Sequence, residues 1–258
     1  MTFDPAPTPD SDAPAAKGSR IISRLLPPAI RLWLHTQLDH IEGLELAING
    51  KDRQILGGYL PGVTVVARQA VYQGLHLSQA EVSAADIRVN LPQVLRGKPL
   101  RLLRPFPVDG QVTVLAADLR ASLKSPLLGQ GLRDVLKQLL AGAVSEQNVP
   151  LVRWLGDGAA PAEVDIALAS DRLTLCWPGT APGGDSLELA MGLTMRAGRW
   201  LCLQQPVATV VPAAGGPPSP TVLNDLAFDL GPEVDIRQLT VTPEGIDLVG
   251  MVQVIPAD

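Results

Sequence analysis

The sequence has few aromatic residues and only two cysteines, and it lacks long apolar runs. Aromatic residues make up 3% of the 258 positions, which is too few for the stacked side chains that bind single-stranded nucleic acid. Cys176 and Cys202 cannot form a disulfide framework, so a reduced compartment is the simpler interpretation, with a single bridge left open. No stretch reaches the ~18 uninterrupted apolar residues of a membrane-spanning helix, and residues 1–20 lack the apolar core of a secretory signal. These absences predict a cytoplasmic protein that binds no nucleic acid.

Signatures of catalytic and metal sites are also lacking. The chain has three histidines; of these, His35 and His40 would point about 140° apart on a helix and could not share a metal. No nucleotide-binding loop, zinc-protease motif or serine-hydrolase motif occurs. The sequence therefore predicts a protein with no enzymatic activity, no metal and no other cofactor.

Apolar residues are abundant instead, and the charge is unevenly spread. Hydrophobic residues make up 46% of the chain and charged residues 18%, and the mean hydropathy is +0.19. The surplus apolar surface must go into a core, a cavity or an interface. Of the net charge of −5, residues 1–16 carry −3, residues 17–137 carry +7 and residues 138–258 carry −9. This split predicts a folded body with one cationic and one anionic end.

The N-terminal segment and two helices frame the predicted organisation. Residues 1–19 are rich in Pro, Asp, Ala and Ser, which predicts a disordered tail; residues 20–258 are predicted to form a single domain. One helix is expected from Ala29, with its apolar face either on the core or on an anionic membrane surface. Another is expected from Ser125 and Pro126. The predicted apolar stripes are Ile30, Trp33, Leu34, Leu38 and Ile41 in the first helix, and Leu128, Leu132, Val135, Leu136, Leu139 and Leu140 in the second.

Between and after these helices, apolar residues alternate with a period of two, which is typical of half-buried strands. Glycines within or beside these segments, at positions 43, 74, 192 and 250, favour bends or bulges. The predicted fold class is therefore α+β: a strongly curved antiparallel sheet wrapped around or against one or two long amphipathic helices, with an apolar groove. Candidates for the groove wall are Leu44, Leu46, Val63, Val65, Leu187, Leu189, Met191, Leu193 and Met195.

A basic loop separates two of the predicted strands. Four cationic residues fall within nine positions, with leucines among them: Arg96, Lys98, Arg101 and Arg104. One interpretation is a solvated loop with a small apolar anchor. The other is a clamp for phosphate or a lipid headgroup, since arginine offers paired donors to phosphate. Under the second interpretation these residues, together with Trp33, dock reversibly on an anionic membrane surface.

Several motifs resemble the LmeA-like phospholipid-binding family of bacteria. They are Tyr59-Leu60-Pro61-Gly62-Val63, residues 71–78 (VYQGLHLS), residues 94–101 (VLRGKPLR), residues 118–123 (DLRASL) and residues 239–250. The resemblance implies a fold similar to the tubular lipid-binding (TULIP) superfamily, with phospholipid in an apolar groove and no catalysis. Secreted members carry a signal or anchor, and its absence here favours the cytoplasmic face of a membrane. The chain has Arg120 where the family often has Asn.

Two functions stay open at this point. The first is non-catalytic binding of a phospholipid or similar acyl lipid, with transfer as an extension. The alternative is a membrane-associated scaffold without a lipid ligand, whose apolar surfaces are closed by a partner protein and whose basic and acidic halves are docking surfaces.

Overall fold

The computed structural model of the chain describes residues 38–141, 164–179 and 184–256. Their strands all pair antiparallel and form two open sheets. The strands are β1 (His40–Asn49), β2 (Tyr59–Tyr72), β3 (Leu75–Arg88), β4 (Phe106–Leu115), β5 (Asp165–Ala169), β6 (Arg172–Trp177), β7 (Ser186–Arg196), β8 (Trp200–Val211), β9 (Ser219–Val222), β10 (Leu226–Asp229), β11 (Val234–Val241) and β12 (Gly245–Val254).

The first sheet has the order β1-β2-β3-β4-β12-β11. Strands β2 and β3 form a hairpin through Gln73 and Gly74, whose φ angles of 49° and 76° suit a two-residue type I′ turn. The chain leaves this sheet after β4 and returns at its end, where β12 pairs with β4 from Gly245 opposite Leu115 to Val254 opposite Phe106. The first sheet is thus completed by strands from opposite ends of the described chain.

The second sheet has the order β10-β8-β7-β6-β5, and β9 also pairs with β8. Its alternating strands β5, β6 and β7 agree with the predicted ones. Strands β8, β9 and β10 were not predicted, because Gln204, Gln205 and Pro206 interrupt the alternation of β8 and because β9 and β10 have four residues each.

Four helices are described: α1 (Asp52–Leu56), α2 (Leu91–Val94), α3 (Ala116–Ser122) and α4 (Pro126–Ala141). Helix α4 begins where predicted, and the Leu128 N–H donates to Ser125 Oγ at 3.1 Å. It is the longest described helix, with 16 residues, so the long helix expected inside a wrapped sheet is not shown. The helix predicted from Ala29 lies largely outside the described residues. Its extension to Ile41 is wrong, because β1 begins at His40.

The bulges expected at interior glycines are confirmed at three places. The pairing register shifts on both sides of Glu42, next to Gly43, and again beside Gly192. A third shift follows Ile236, the partner of Gly250. Gly43 has a φ of +53°, which a residue without a side chain adopts at no cost. Such bulges bend a strand and increase its twist.

The described residues form two apolar clusters. The first, called here the helix-covered cluster, joins α3 and α4 to the second sheet and has the buried members Leu123, Leu136, Leu139, Ile166, Leu173, Leu175, Trp177, Leu187, Leu189, Met191, Leu203, Ala208, Val210 and Leu223. The second, called the loop-covered cluster, lies on the first sheet and has the buried members Ile55, Leu60, Val63, Ile87, Val89, Leu91 and Phe106. The sheets meet through backbone hydrogen bonds from Asp171 to Val241 at 3.0 Å and from Ile236 to Gly198 at 2.7 Å.

Candidate functional site

An apolar cavity lies within the loop-covered cluster. Its volume is about 220 Å³, and its lining is apolar apart from Ser83. The lining residues come from β2, β3, the start of β4, the end of β12 and the basic loop: Leu60, Val63, Val65, Val82, Ser83, Ala84, Ile87, Val89, Leu100, Leu102, Phe106, Val108 and Val254. A cavity of this composition excludes charge and favours hydrocarbon.

The wall of the cavity consists of cross-strand neighbours on one face of the first sheet. Val63 faces Ala84, which faces Val108, and in the next row Val65 faces Val82, which faces Gly110. A side-chain carbon at Gly110 would lie 2.9 Å from Val82 Cγ1. The glycine therefore leaves room for valine in a row where a larger residue would push the wall apart.

Residues 95–105, the basic loop, form the roof of the cavity. Leu100 and Leu102 point to the cluster and line the cavity. An isolated β-bridge joins Leu102 to Val89, and the Leu103 N–H donates to the Arg88 carbonyl at 2.8 Å. The loop is thus held along the end of β3 rather than projecting freely.

Asn90 anchors this loop from inside. It is 5% exposed, its Nδ2 donates to the Pro99 carbonyl at 2.9 Å, and its Oδ1 accepts from the Arg101 N–H at 2.7 Å. A weaker contact of 3.3 Å joins it to Gln93. Both ends of the amide are used, as expected for a buried polar side chain.

The cationic residues of the basic loop stand at the surface over this cavity. Arg96, Lys98, Arg101 and Arg104 are all exposed. Within the described residues none of the four has an acidic partner at salt-bridge distance. Positive charge without an acidic partner in the described part of the chain therefore lies on the roof of an apolar cavity, an arrangement that suits an amphiphilic anion.

Three further cations join this end of the first sheet, and sequence reasoning missed them. Lys51 and Arg53 flank the start of α1, which packs near α2, and Arg88 ends β3. The guanidinium of Arg88 lies 4.4 Å from the ring centre of Tyr59. The signal was available in principle: in an antiparallel sheet the end of β1, the start of β2 and the end of β3 must meet.

The Tyr59 hydroxyl beside this group is held in its protonated form. It donates to Asp86, and this hydrogen bond, with smaller contributions from desolvation and the Asp86 charge, raises the pKa of Tyr59 above its usual value. Tyr59 is thus a neutral hydrogen-bond donor to Asp86, and its ring makes a cation–π contact with Arg88.

The predicted groove residues are divided between the two clusters. Val63 and Val65 line the cavity, and Leu46 packs against the same cluster; Leu44 is half-buried on β1. Leu187, Leu189 and Met191 are fully buried in the helix-covered cluster, and Leu193 packs beside them. Met195 is half-buried near Cys202. One continuous groove through both sets is not shown, and Trp33 lies outside the described residues.

The remaining motif residues form a buried polar junction between β3 and α3. Ser78 Oγ donates to the Asp118 carboxylate at 2.5 Å and accepts from the Leu115 N–H at 2.7 Å. Ser122 Oγ accepts from the His76 N–H at 2.8 Å. These contacts attach α3 to the sheet. Arg120, the departure from the family pattern, pairs with Asp165 of β5 at 3.1 Å.

A metal site, a membrane-spanning helix and a disulfide each place specific requirements on the described residues. Across residues 38–141, 164–179 and 184–256, no three His, Cys, Asp or Glu side chains gather into a potential metal site. None of the helices in this part of the chain has the length and apolarity needed to cross a bilayer. Cys176 and Cys202 are free thiols; burial and then the nearby charges of Glu188 and Asp165 raise the pKa of Cys176.

The geometry defines a class: a two-sheet antiparallel protein with an apolar cavity beneath a cationic loop. The chain belongs to the LmeA-like phospholipid-binding family, whose model matches residues 17–251. The resemblance drawn from the sequence motifs is thereby confirmed. No curated protein and no solved structure matches the chain. Family membership indicates phospholipid as the class of ligand, and such families are typically non-catalytic.

Proposed function

We propose that the protein binds one acyl end of a phospholipid in the cavity of the loop-covered cluster, with the lipid phosphate at the cationic residues of the basic loop, and that it performs no catalysis. The single observation that carries this proposal is the coincidence of an apolar cavity with cations on its roof that have no acidic partner among the described residues. Membership of a phospholipid-binding family supports it independently.

The size of the cavity sets how much lipid it holds. At 220 Å³ it is smaller than the ~300–1,000 Å³ of common ligand sites. With a methylene group taken as about the size of a water molecule, at ~30 Å³, it accepts about seven methylenes. Their burial is worth roughly 6 kcal/mol at ~0.8 kcal/mol each. The rest of the lipid stays outside, so we propose that the protein works at a membrane surface rather than as an enclosing carrier.

The cations provide both headgroup contact and docking in this proposal. Arginine gives paired donors to phosphate, and each basic residue near an anionic leaflet contributes about 1 kcal/mol. Residues 138–258 carry −9 and would be repelled, so the protein is expected to land with the basic loop towards the membrane. A peripheral position on the cytoplasmic face stays a prediction.

The test of cavity binding is Ala84→Phe, with Ala85→Phe as its control. Ala84 lines the cavity, whereas its neighbour Ala85 is exposed and points to the opposite face of β3. Native mass spectrometry followed by lipid extraction should show lipid on the parent and on Ala85→Phe but not on Ala84→Phe. A parent that stays empty after incubation with phospholipid, or equal loading of both variants, would refute the proposal; an empty parent with a stoichiometric protein partner would favour the scaffold.

The test of docking replaces Arg96, Lys98, Arg101 and Arg104 together with Gln. The matched control changes Lys124, Arg133, Lys137 and Arg172 to Gln, which removes equal charge among exposed residues outside the basic loop. We expect the parent to sediment with anionic vesicles at low salt and to ignore neutral ones. The loop variant should lose this binding while it keeps its fold, and the control should keep it. If the loop variant sediments as the parent does, the basic loop has only a structural role. The docking surface is then expected around Trp33.

A further inference from the structure

Large apolar side chains are exposed at the same end of the first sheet as the cationic residues. Leu56 is 41% exposed, Leu95 46%, Leu103 56% and Ile255 58%. Exposed leucines are common one at a time, but a group of them within a charged surface is a mark of an interaction site.

These four residues come from three chain segments that meet at one end of the sheet. Leu56 ends α1, and α1 packs near α2, whose C-terminal cap is Leu95. The backbone of Leu103 is bonded to Arg88 at the end of β3. Ile255 follows Val254, which pairs with Phe106 at the start of β4.

The charge of the three segments that carry these side chains is mainly positive. Residues 51–56, 91–105 and 254–256 contain six basic residues and one acidic residue, Asp52. Within the basic loop, Leu100 and Leu102 face inward to the cavity, whereas Leu95 and Leu103 face outward. The loop therefore presents a second, outer set of leucines between its cations. Alternating cationic and apolar groups match the headgroup and upper acyl layers of an anionic bilayer.

We infer that Leu56, Leu95, Leu103 and Ile255 insert into the anionic bilayer on which the cationic residues dock, so that binding has an apolar part besides its electrostatic part. This inference rests on the proposed function and deepens it. It places the cavity roof within the membrane interface, where an acyl end can pass between bilayer and cavity without crossing water.

The test is the variant with all four residues changed to Ser. Its control changes four exposed apolar residues elsewhere to Ser: Tyr72, Leu115, Val222 and Leu230. Partitioning is measured with vesicles of equal parts phosphatidylglycerol and phosphatidylcholine. We expect the four-Ser variant to partition at least about tenfold less than the parent, since burial of the exposed parts of four such side chains together exceeds the 1.4 kcal/mol of a tenfold change. The control should stay close to the parent.

A second measurement reports insertion directly. An environment-sensitive dye is attached at Leu103→Cys, in a chain with Cys176→Ser and Cys202→Ser, and the comparison site is Val222→Cys. The dye at position 103 should shift to the emission of an apolar medium when anionic vesicles are added, and the dye at position 222 should not.

The outcomes separate this inference from the proposed function. Unchanged partitioning of the four-Ser variant, or no dye shift at position 103, overturns insertion even if lipid is still found in the cavity. If the four-Ser variant instead loses only self-association, the surface joins copies of the chain and the inference is also overturned. If Ala84→Phe loses the cavity lipid but still inserts into vesicles, the inference stands. If the parent protein carries no lipid but still inserts, only the proposal of a lipid in the cavity is refuted.

Discussion

The two apolar clusters are built from similar residues but are covered differently. In the helix-covered cluster, α3 and α4 present leucines at regular spacing to the second sheet, and Trp177, Leu187 and Leu189 are at most 1% exposed. In the loop-covered cluster the cover is an irregular segment held by the polar side chain of Asn90. A helix supplies a continuous apolar stripe, whereas this loop supplies Leu100 and Leu102. The type of cover therefore goes with the type of open space. The space under the loop is apolar, whereas the pocket of about 420 Å³ beside the helix-covered cluster is also bordered by charged residues such as Arg133 and Asp165.

Truncation of a leucine to alanine should show the largest difference in stability between the two clusters. Leu189→Ala removes a side chain that is 0% exposed, and we expect a loss of about 2–5 kcal/mol in the free energy of unfolding. Leu100→Ala acts on a half-buried residue that already borders the cavity, so a loss of about 1 kcal/mol is expected. Urea denaturation of both variants measures the difference, and equal losses would mean that the clusters are packed alike.

Enlargement of an alanine should affect the free energy of unfolding differently in the two clusters. Ala208 is 2% exposed in the helix-covered cluster, and Ala208→Leu should cost about 1–3 kcal/mol because the site has no room. Ala84→Leu extends into the cavity and should leave the free energy of unfolding unchanged or raise it. Thermal and urea unfolding report both effects. A clear destabilisation by Ala84→Leu would contradict the existence of open space beside it.

Removal of the loop anchor should loosen the cover of the cavity. Asn90→Ala deletes the bonds to Pro99 and Arg101 and should cost about 1–2 kcal/mol. Its local result is faster trypsin cleavage after Arg96 and Arg101 under native conditions. Gln93→Ala, which deletes the weaker 3.3 Å contact, is the control. Equal cleavage rates in the two variants would show that the loop is held by its leucines instead.

The smallest effect is expected from the Arg199–Asp229 ion pair of the second sheet. Hydrogen bonds from Arg199 and then from the Gly231 N–H hold the pKa of Asp229 below its ordinary value. The pair therefore stabilises the fold above the unfolded pKa of about 3.9, and this contribution is lost as pH falls through the lower folded pKa. Urea unfolding of Asp229→Asn should show a small deficit in the free energy of unfolding at pH 7 that disappears in strong acid. Arg104→Gln, which breaks no ion pair among the described residues, should show no such deficit. If the deficit of Asp229→Asn persists in strong acid, its cause is lost packing rather than the lost ion pair.

Local sequence signals predicted the elements whose pattern is complete within a few residues. The alternation of β7 and the Ser125-Pro126 start of α4 identified those elements because side-chain period and capping chemistry are local. The glycines at positions 43 and 192 marked bulges for the same reason. The TULIP-like curvature and long helix stay predictions, as does the single domain.

Other features depend on contacts between residues that are distant in sequence, and local signals could not predict them. The pattern of Leu187, Leu189 and Met191 is the same whether that face meets protein or a ligand, and in the structure these residues are buried in the helix-covered cluster. Lys51 and Arg53 join the cations of the basic loop through strand pairing across the sheet. The pairing of Ser78 with Asp118 likewise depends on where α3 is placed, which no short window contains.

The return of β12 to β4 also sets an order for folding. Thr113 and Asp247 form a hydrogen bond across 134 positions, whereas the strands of the second sheet pair with near neighbours in sequence. Distant pairing forms slowly, so the second sheet can form while β4 still has an open edge. During synthesis that edge stays bare until residues 245–254 leave the ribosome, and a bare edge is a site for mispairing with other chains. Loss of β12 would therefore endanger the nascent chain as well as remove Val254 from the cavity wall.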